Sequence, residues 1–307
     1  PSDRGPHAQT TPGTARVLRY AFPVAETGFD PPQISDLYSA TMIAHIFDSP
    51  LQYDYLARPA RLRAATAAAL PEVSADGMTI RVTLRPGIHF ADDPAFKGQR
   101  RELTAHDYVY SIKRHFDPRW RSSSLGTFED YLVGLRELRA EALRSGRFDY
   151  DTEVQGLRAI DRYTFEMRLL KPNFVLVYAL ADCRATCAVA REVIEAYGDK
   201  IMEHPVGNGP FRLSSWKRSS RLIFERNPTY RDEVYDAVPP PGDPRLQEVA
   251  DRLRGRRLPM LDRVEIDIVE EAQPRWLAFL NYQHDLIEMV PNEFALTAFP
   301  GDRLAAY

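Results

Sequence analysis

The stretch Leu70–Pro118, LPEVSADGMTIRVTLRPGIHFADDPAFKGQRRELTAHDYVYSIKRHFDP, decides the fold class. Asp76-Gly77 is a turn signal, and MTIRVTLR (78–85) then alternates strictly. Met78, Ile80, Val82 and Leu84 take one face, and Thr79, Arg81, Thr83 and Arg85 the other. A strand follows from that period. Further on, Thr104 with Asp107 has the spacing of a capping box, in which each end of the first turn satisfies the other's backbone donor. Tyr108, Val109, Ile112 and Phe116 recur at helical spacing, and Asp117-Pro118 ends the helix. Strand and helix within one stretch point to mixed α/β.

The same two periods extend outward. Residues 16–22 read as the first strand. Residues 163–169 (YTFEMRL) alternate through Tyr163, Phe165, Met167 and Leu169, and 263–269 through Val264, Ile266 and Ile268. Residues 211–216 and 220–226 read as a hairpin around Lys217–Ser219. Asp243-Pro244 opens a helix with Leu246, Val249, Ala250 and Leu253 inward and Gly255 as its stop. Short helices are expected at 189–197 and at 274–281, the latter with Trp276, Leu277 and Leu280 inward. Val238–Gly242 is a loop.

Composition is ordinary for a globular chain of 307 residues, with 44% hydrophobic and 27% charged residues and a net charge of -3. Lys and Arg are spread out, which speaks against nucleic acid. No apolar run reaches the roughly 18 residues of a membrane span. Residues 1–13, polar and rich in Pro, Gly and Thr, read as a flexible leader, either a stub left after signal-peptide removal or an arbitrary boundary.

The motifs of catalysis do not assemble. G-x-S-x-G, H-E-x-x-H and S-x-x-K are absent. His106 and His115 share a helix but are not four apart, so they read as surface or partly buried residues rather than ligands. Glu270-Glu271 and Asp92-Asp93 read as solvated, and Arg252–Arg257 as cations at a helix C-terminus. PVGNGP (205–210) lacks the G-K-[ST] of a phosphate loop; it reads as a tight turn or as a ligand contact. Cys183 and Cys187 leave three readings open. Regular helical geometry would misplace the sulfurs, an irregular loop would let them bond, and otherwise they are half-buried thiols. A metal pair has no neighbouring ligands to support it. The expectation carried forward is a bond in a non-helical stretch.

Beyond these local readings, Leu70–Pro118 resembles the signature region of the peptide- and nickel-type substrate-binding proteins of ABC transporters, extracellular solute-binding protein family 5. Phe29–Asp54, Ala159–Pro172, Arg191–Gly198, His204–Trp216 and Glu225–Glu233 follow in the family's order, so the resemblance covers about 16–307. Asn208, where the family often has Thr, depart from its pattern, as do Tyr282–Asp285 and an insertion at about 132–156.

The resemblance implies a class II lobe of periplasmic-binding-protein type, a mixed α/β sheet built from 14–48 and 158–290. An α/β subdomain, 49–157, is inserted in it. Residues 291–307 would open a second lobe that is otherwise missing. It implies a non-enzymatic receptor, exported and monomeric, that takes a peptide or similar solute to a membrane permease without cofactor, metal or nucleic acid. Ser35, Asp36, Leu37 and Tyr38 would face the ligand, with Asn208 bordering the same cleft, and Glu288, Met289, Val290 and Pro291 would be the hinge. Ser35 and Asp36 are also good N-cap residues. A cytoplasmic ligand-sensing regulator built on the same lobe is the alternative.

Overall fold

The computed structural model describes residues 15–303; the leader at 1–13 and the end of the expected second-lobe segment, 304–307, lie outside the described residues. The chain opens with β1 (Val17–Phe22) and α1 (Leu37–Ile46), then runs through β2 (Leu51–Tyr53), β3 (Leu62–Ala64), β4 (Glu72–Val73) and β5 (Thr79–Thr83). Next come α2 (Ala105–Arg114), α3 (Leu135–Ser145), β6 (Leu157–Ala159), β7 (Thr164–Arg168), α4 (Leu176–Ala179), α5 (Cys183–Thr186) and α6 (Arg191–Tyr197). It closes with β8 (Phe211–Lys217), β9 (Arg221–Arg226), α7 (Pro244–Leu253), β10 (Arg263–Ile268), α8 (Ala272–Leu280) and α9 (Ala295–Ala298).

Two four-stranded sheets result. The first has the order β1-β10-β9-β8, with β1 parallel to β10 and the other pairs antiparallel. The second has the order β4-β5-β7-β6 and is antiparallel throughout. β2 and β3 form a separate ribbon. One apolar cluster runs under both sheets, joining Phe22, Ile43 and Ile46 to Val82, Tyr108 and Phe165.

The second sheet corrects the assignment of residues 163–169 to the sheet of the first strand. β7 pairs with β5, Ile80 opposite Met167 and Val82 opposite Phe165. That register puts the apolar faces of both strands on one side, and all four residues are buried. On the opposite face Glu166 takes Arg81 and Arg158, each at 2.9 Å. The chain therefore rejoins the sheet of β1 only at β8.

α2 starts as its sequence reads: Asp107 Oδ2 accepts from Thr104 N at 2.7 Å. Two helix faces need correction. Val249 in α7 and Leu277 in α8 are exposed, because α7 buries only Ala250 and α8 only Trp276, which stacks on Phe294. Asp93, read as solvated, is buried under Tyr197 and His204, whose Oη and Nε2 lie 3.0 and 2.8 Å from it.

Candidate functional site

The expected ligand segment begins where β1 ends. Asp30 and Arg114 form a bidentate pair at 2.7 and 2.9 Å, and neither side chain has any exposure. Gln33 Nε2 also donates to Asp30, and the Arg114 guanidinium lies 4.3 Å over the Trp120 ring. Ser123 donates from Oγ to Ile34 O at 2.6 Å and from N to Pro32 O at 3.1 Å. Residues 30–34 are thus fastened to α2 and the loop after it.

Past this fastening the chain emerges. Ser35 is exposed and makes no hydrogen bond among the described residues. Asp36 is the N-cap of α1, accepting from Ser39 N at 2.7 Å and from Thr27 Oγ1 at 2.6 Å. Partial burial raises its pKa, but these bonds outweigh that and hold it below the ordinary carboxylate value. Leu37 is 72% exposed. Tyr38 is half-buried, its ring 4.8 Å from that of Phe22.

Tyr38 also walls a cavity of about 230 Å³ shared with Tyr20, Arg275, Glu288, Pro291 and Glu293. The expected hinge residues Glu288–Pro291 all line it. Burial first, then a hydrogen bond to Glu288 and its charge, push the Tyr20 phenol well above its usual range. The structure therefore brings Tyr38 and the segment 288–291 together.

It does not bring Asn208 there. Asn208 is buried beside the other end of α1, a helix about 15 Å long. Its Oδ1 accepts from Asp48 N at 3.1 Å, and Gly209 N donates to Ile46 O at 2.8 Å. A Cβ at Gly207 would lie 2.0 Å from Ile46 O, so the glycines let PVGNGP close over the last turn of α1.

Cys183 and Cys187 are disulfide-bonded, with Cα atoms 4.5 Å apart. The expectation of a non-helical stretch is corrected. Residues 183–186 form one helical turn, and Cys187 then leaves it at φ -70, ψ 136, which frees its sulfur to turn back. Among the described residues no three His, Cys, Asp or Glu gather as a metal site.

Sequence reading missed a groove of about 590 Å³ on the outer flank of α1, lined by Ala40, Ala44, Tyr53, Tyr131, Val175 and Tyr178. Small residues four apart on α1 were its only local signal.

Solved structures share this architecture. An oligopeptide-binding protein from Borrelia burgdorferi superposes with a TM-score of 0.70 at 21% identity, over 92% of this chain and 49% of its own. Haemophilus influenzae OppA, in complex with the peptide RPPGFSPFR, gives 0.69 at 18% identity, over 93% and 48%. At that identity the likeness shows the fold: a lobe of the periplasmic-binding-protein class, about half of such a molecule.

Sequence places it more narrowly. Residues 61–303 match the model for bacterial extracellular solute-binding proteins, family 5 Middle, and the chain belongs to that family. It is 32% identical over 138 residues to the periplasmic oligopeptide-binding protein OppA of Salmonella typhimurium, which covers 44% of this chain and 24% of that protein. It is 27% identical over 229 residues to di/tripeptide-binding protein 2 of Pseudomonas aeruginosa, covering 72% and 39%. These relatives are solute-binding proteins, and the chain spans less than half the length of each.

Proposed function

We propose that this chain is part of the substrate-binding component of an ABC importer. It works outside the cytoplasm and captures a peptide or peptide-like solute between this lobe and a second one. The loaded receptor then delivers the solute to a membrane permease. The observation that carries the reading is the edge at Ser35–Leu37. Its base is held by a buried ion pair and two Ser123 hydrogen bonds, while Ser35 itself has no partner among the described residues.

A strip fastened at its base, with the backbone groups of Ser35 unpaired among the described residues, suits strand addition, which gains affinity from main-chain hydrogen bonds and reads few side chains. Tyr38 adds an aromatic wall, and the cavity it shares with residues 288–291 supports the reading of that segment as a hinge next to the strip. The Cys183–Cys187 bond supports export, since disulfides persist mainly in oxidising compartments. The test is calorimetry of the full-length protein against a pool of short peptides. Saturable binding is expected, and no heat above the buffer blank would reject the reading.

A further inference from the structure

Away from α1, a cleft of about 400 Å³ opens between the turn after β5, the loop before α2 and the segment after β9. Four arginines line it, Arg85, Arg100, Arg231 and Arg257, against one acidic residue, Asp232.

The charges are not evenly answered. Arg231 is nearly buried and is met from behind by Asp48 and Glu233. Arg257 reaches Asp232 at 2.8 Å in an exposed pair, which solvent weakens. Arg85 spends its Nε on the carbonyl of Ala67 at 3.1 Å and meets no carboxylate among the described residues. Arg100 is exposed and has no hydrogen-bond or ion-pair partner among the described residues. Glu102, the acid nearest in sequence to Arg100, is committed to Gly87 N, Arg162 and Tyr163. Two cations therefore share one concavity with no counter-charge of their own.

Like charges so placed attract an anion. Guanidinium forks bind oxyanions through paired N–H donors, and a phosphate offers more acceptor oxygens than a carboxylate for several forks to share. The cleft's volume lies within the range of roughly 300–1,000 Å³ seen for small-molecule sites. We propose that it binds a phosphate group, carried either by a small soluble ester or by an anionic lipid headgroup. Its lining shares no residue with the Ser35–Tyr38 edge or the cavity behind it, so the two readings stand or fall separately.

The experiment uses the full-length protein at low ionic strength, where exposed charges are least screened. Inorganic phosphate and glycerol 3-phosphate are titrated by calorimetry. Sedimentation compares phosphatidylglycerol vesicles with phosphatidylcholine vesicles. Arg100→Ala, which removes an unpartnered surface group, and the double variant Arg85→Ala/Arg100→Ala are measured beside Arg144→Ala, an exposed arginine outside the cleft. Loss of charge-assisted hydrogen bonds should weaken binding by about tenfold or more in the double variant, less in Arg100→Ala, and not in Arg144→Ala. Binding of the soluble phosphates with that pattern identifies a small ester. Binding of phosphatidylglycerol vesicles alone, with the same pattern, identifies a lipid headgroup. Binding of neither, or binding that all three variants weaken alike, overturns the proposal.

Discussion

At the scale of single residues, the buried charges carry the sharpest expectations. Burial works against the charge on Arg114, yet the charge and hydrogen bonds of Asp30 outweigh it and raise the Arg114 pKa. Removing one member of such a pair strands the other in a dry site. Arg114→Met should therefore cost about 3–5 kcal/mol in urea unfolding, and Arg114→Met/Asp30→Leu should recover much of that loss. A single-variant cost below about 1 kcal/mol would show that the pair does not hold the loop. The neighbouring His115 gives a pH expectation. Its Nε2 lies 2.8 Å from Ala185 O and so carries the proton, leaving Nδ1 to accept from Ser122 Oγ at 2.6 Å. Burial lowers its pKa from 6.5 to about 4, with Arg114 adding to the effect and Ala185 opposing it. Between those values the unfolded chain binds the proton more readily. Stability from this group is complete above about pH 6.5 and falls as pH drops toward 4, by about 3 kcal/mol in all. His115→Gln should flatten that part of the stability profile; an unchanged slope between pH 6.5 and 4.5 would exclude His115 as its source.

At the scale of elements, the N-terminus of α1 serves two purposes that can be separated. Asp36→Ala removes the cap from Ser39 N and should cost about 1 kcal/mol of stability, with solute affinity little changed. Asp36→Pro removes the same cap together with one backbone N–H, and it restricts Ser35. It should lower affinity well below that of Asp36→Ala. Equal affinities for the two variants, measured on folded protein, would show that the strip is not a ligand edge. Alternation made β5, β7, β10 and the β8–β9 hairpin legible, because it reports which face a strand buries. It does not report which strand lies alongside, so the pairing of β7 with β5, and not within the sheet of β1, is set by long-range register that alternation leaves open. The stripes of α7 and α8 misled in a similar way: an apolar position is buried only where another element covers it, and Val249 and Leu277 stay 36% and 47% exposed. The fastening of residues 30–34 was invisible for a different reason. Asp30 and Arg114 are 84 positions apart, and charged residues read as surface until their partners are known.

At the scale of the whole molecule, three strongly exposed apolar side chains fall within residues 282–296, the segment that contains the expected hinge. Tyr282 is 80% exposed, Met289 79% and Leu296 88%, and Leu37 stands beside Tyr38, which shares a cavity with Met289. Exposed apolar side chains occur elsewhere too, Val175 and Val238 among them, but those at 282–296 share a segment with the residues that line the cavity beside Tyr38. The solved relatives are about twice as long as this chain. We read the group as the face that a second lobe covers when a receptor of this kind closes on its solute. That reading gives a measurement on the full-length protein. Met289→Cys and Leu296→Cys should react with a thiol reagent more slowly once saturating peptide is present, as hinge closure buries them. Leu170→Cys, at a site 57% exposed just after β7, should react at the same rate with and without peptide. If all three respond alike, or if none responds while calorimetry shows the peptide bound, the apolar group near the hinge is not the closing face. The second lobe would then have to meet this one elsewhere, and the groove along Ala40, Ala44 and Tyr178 on the outer flank of α1 is the next surface to label.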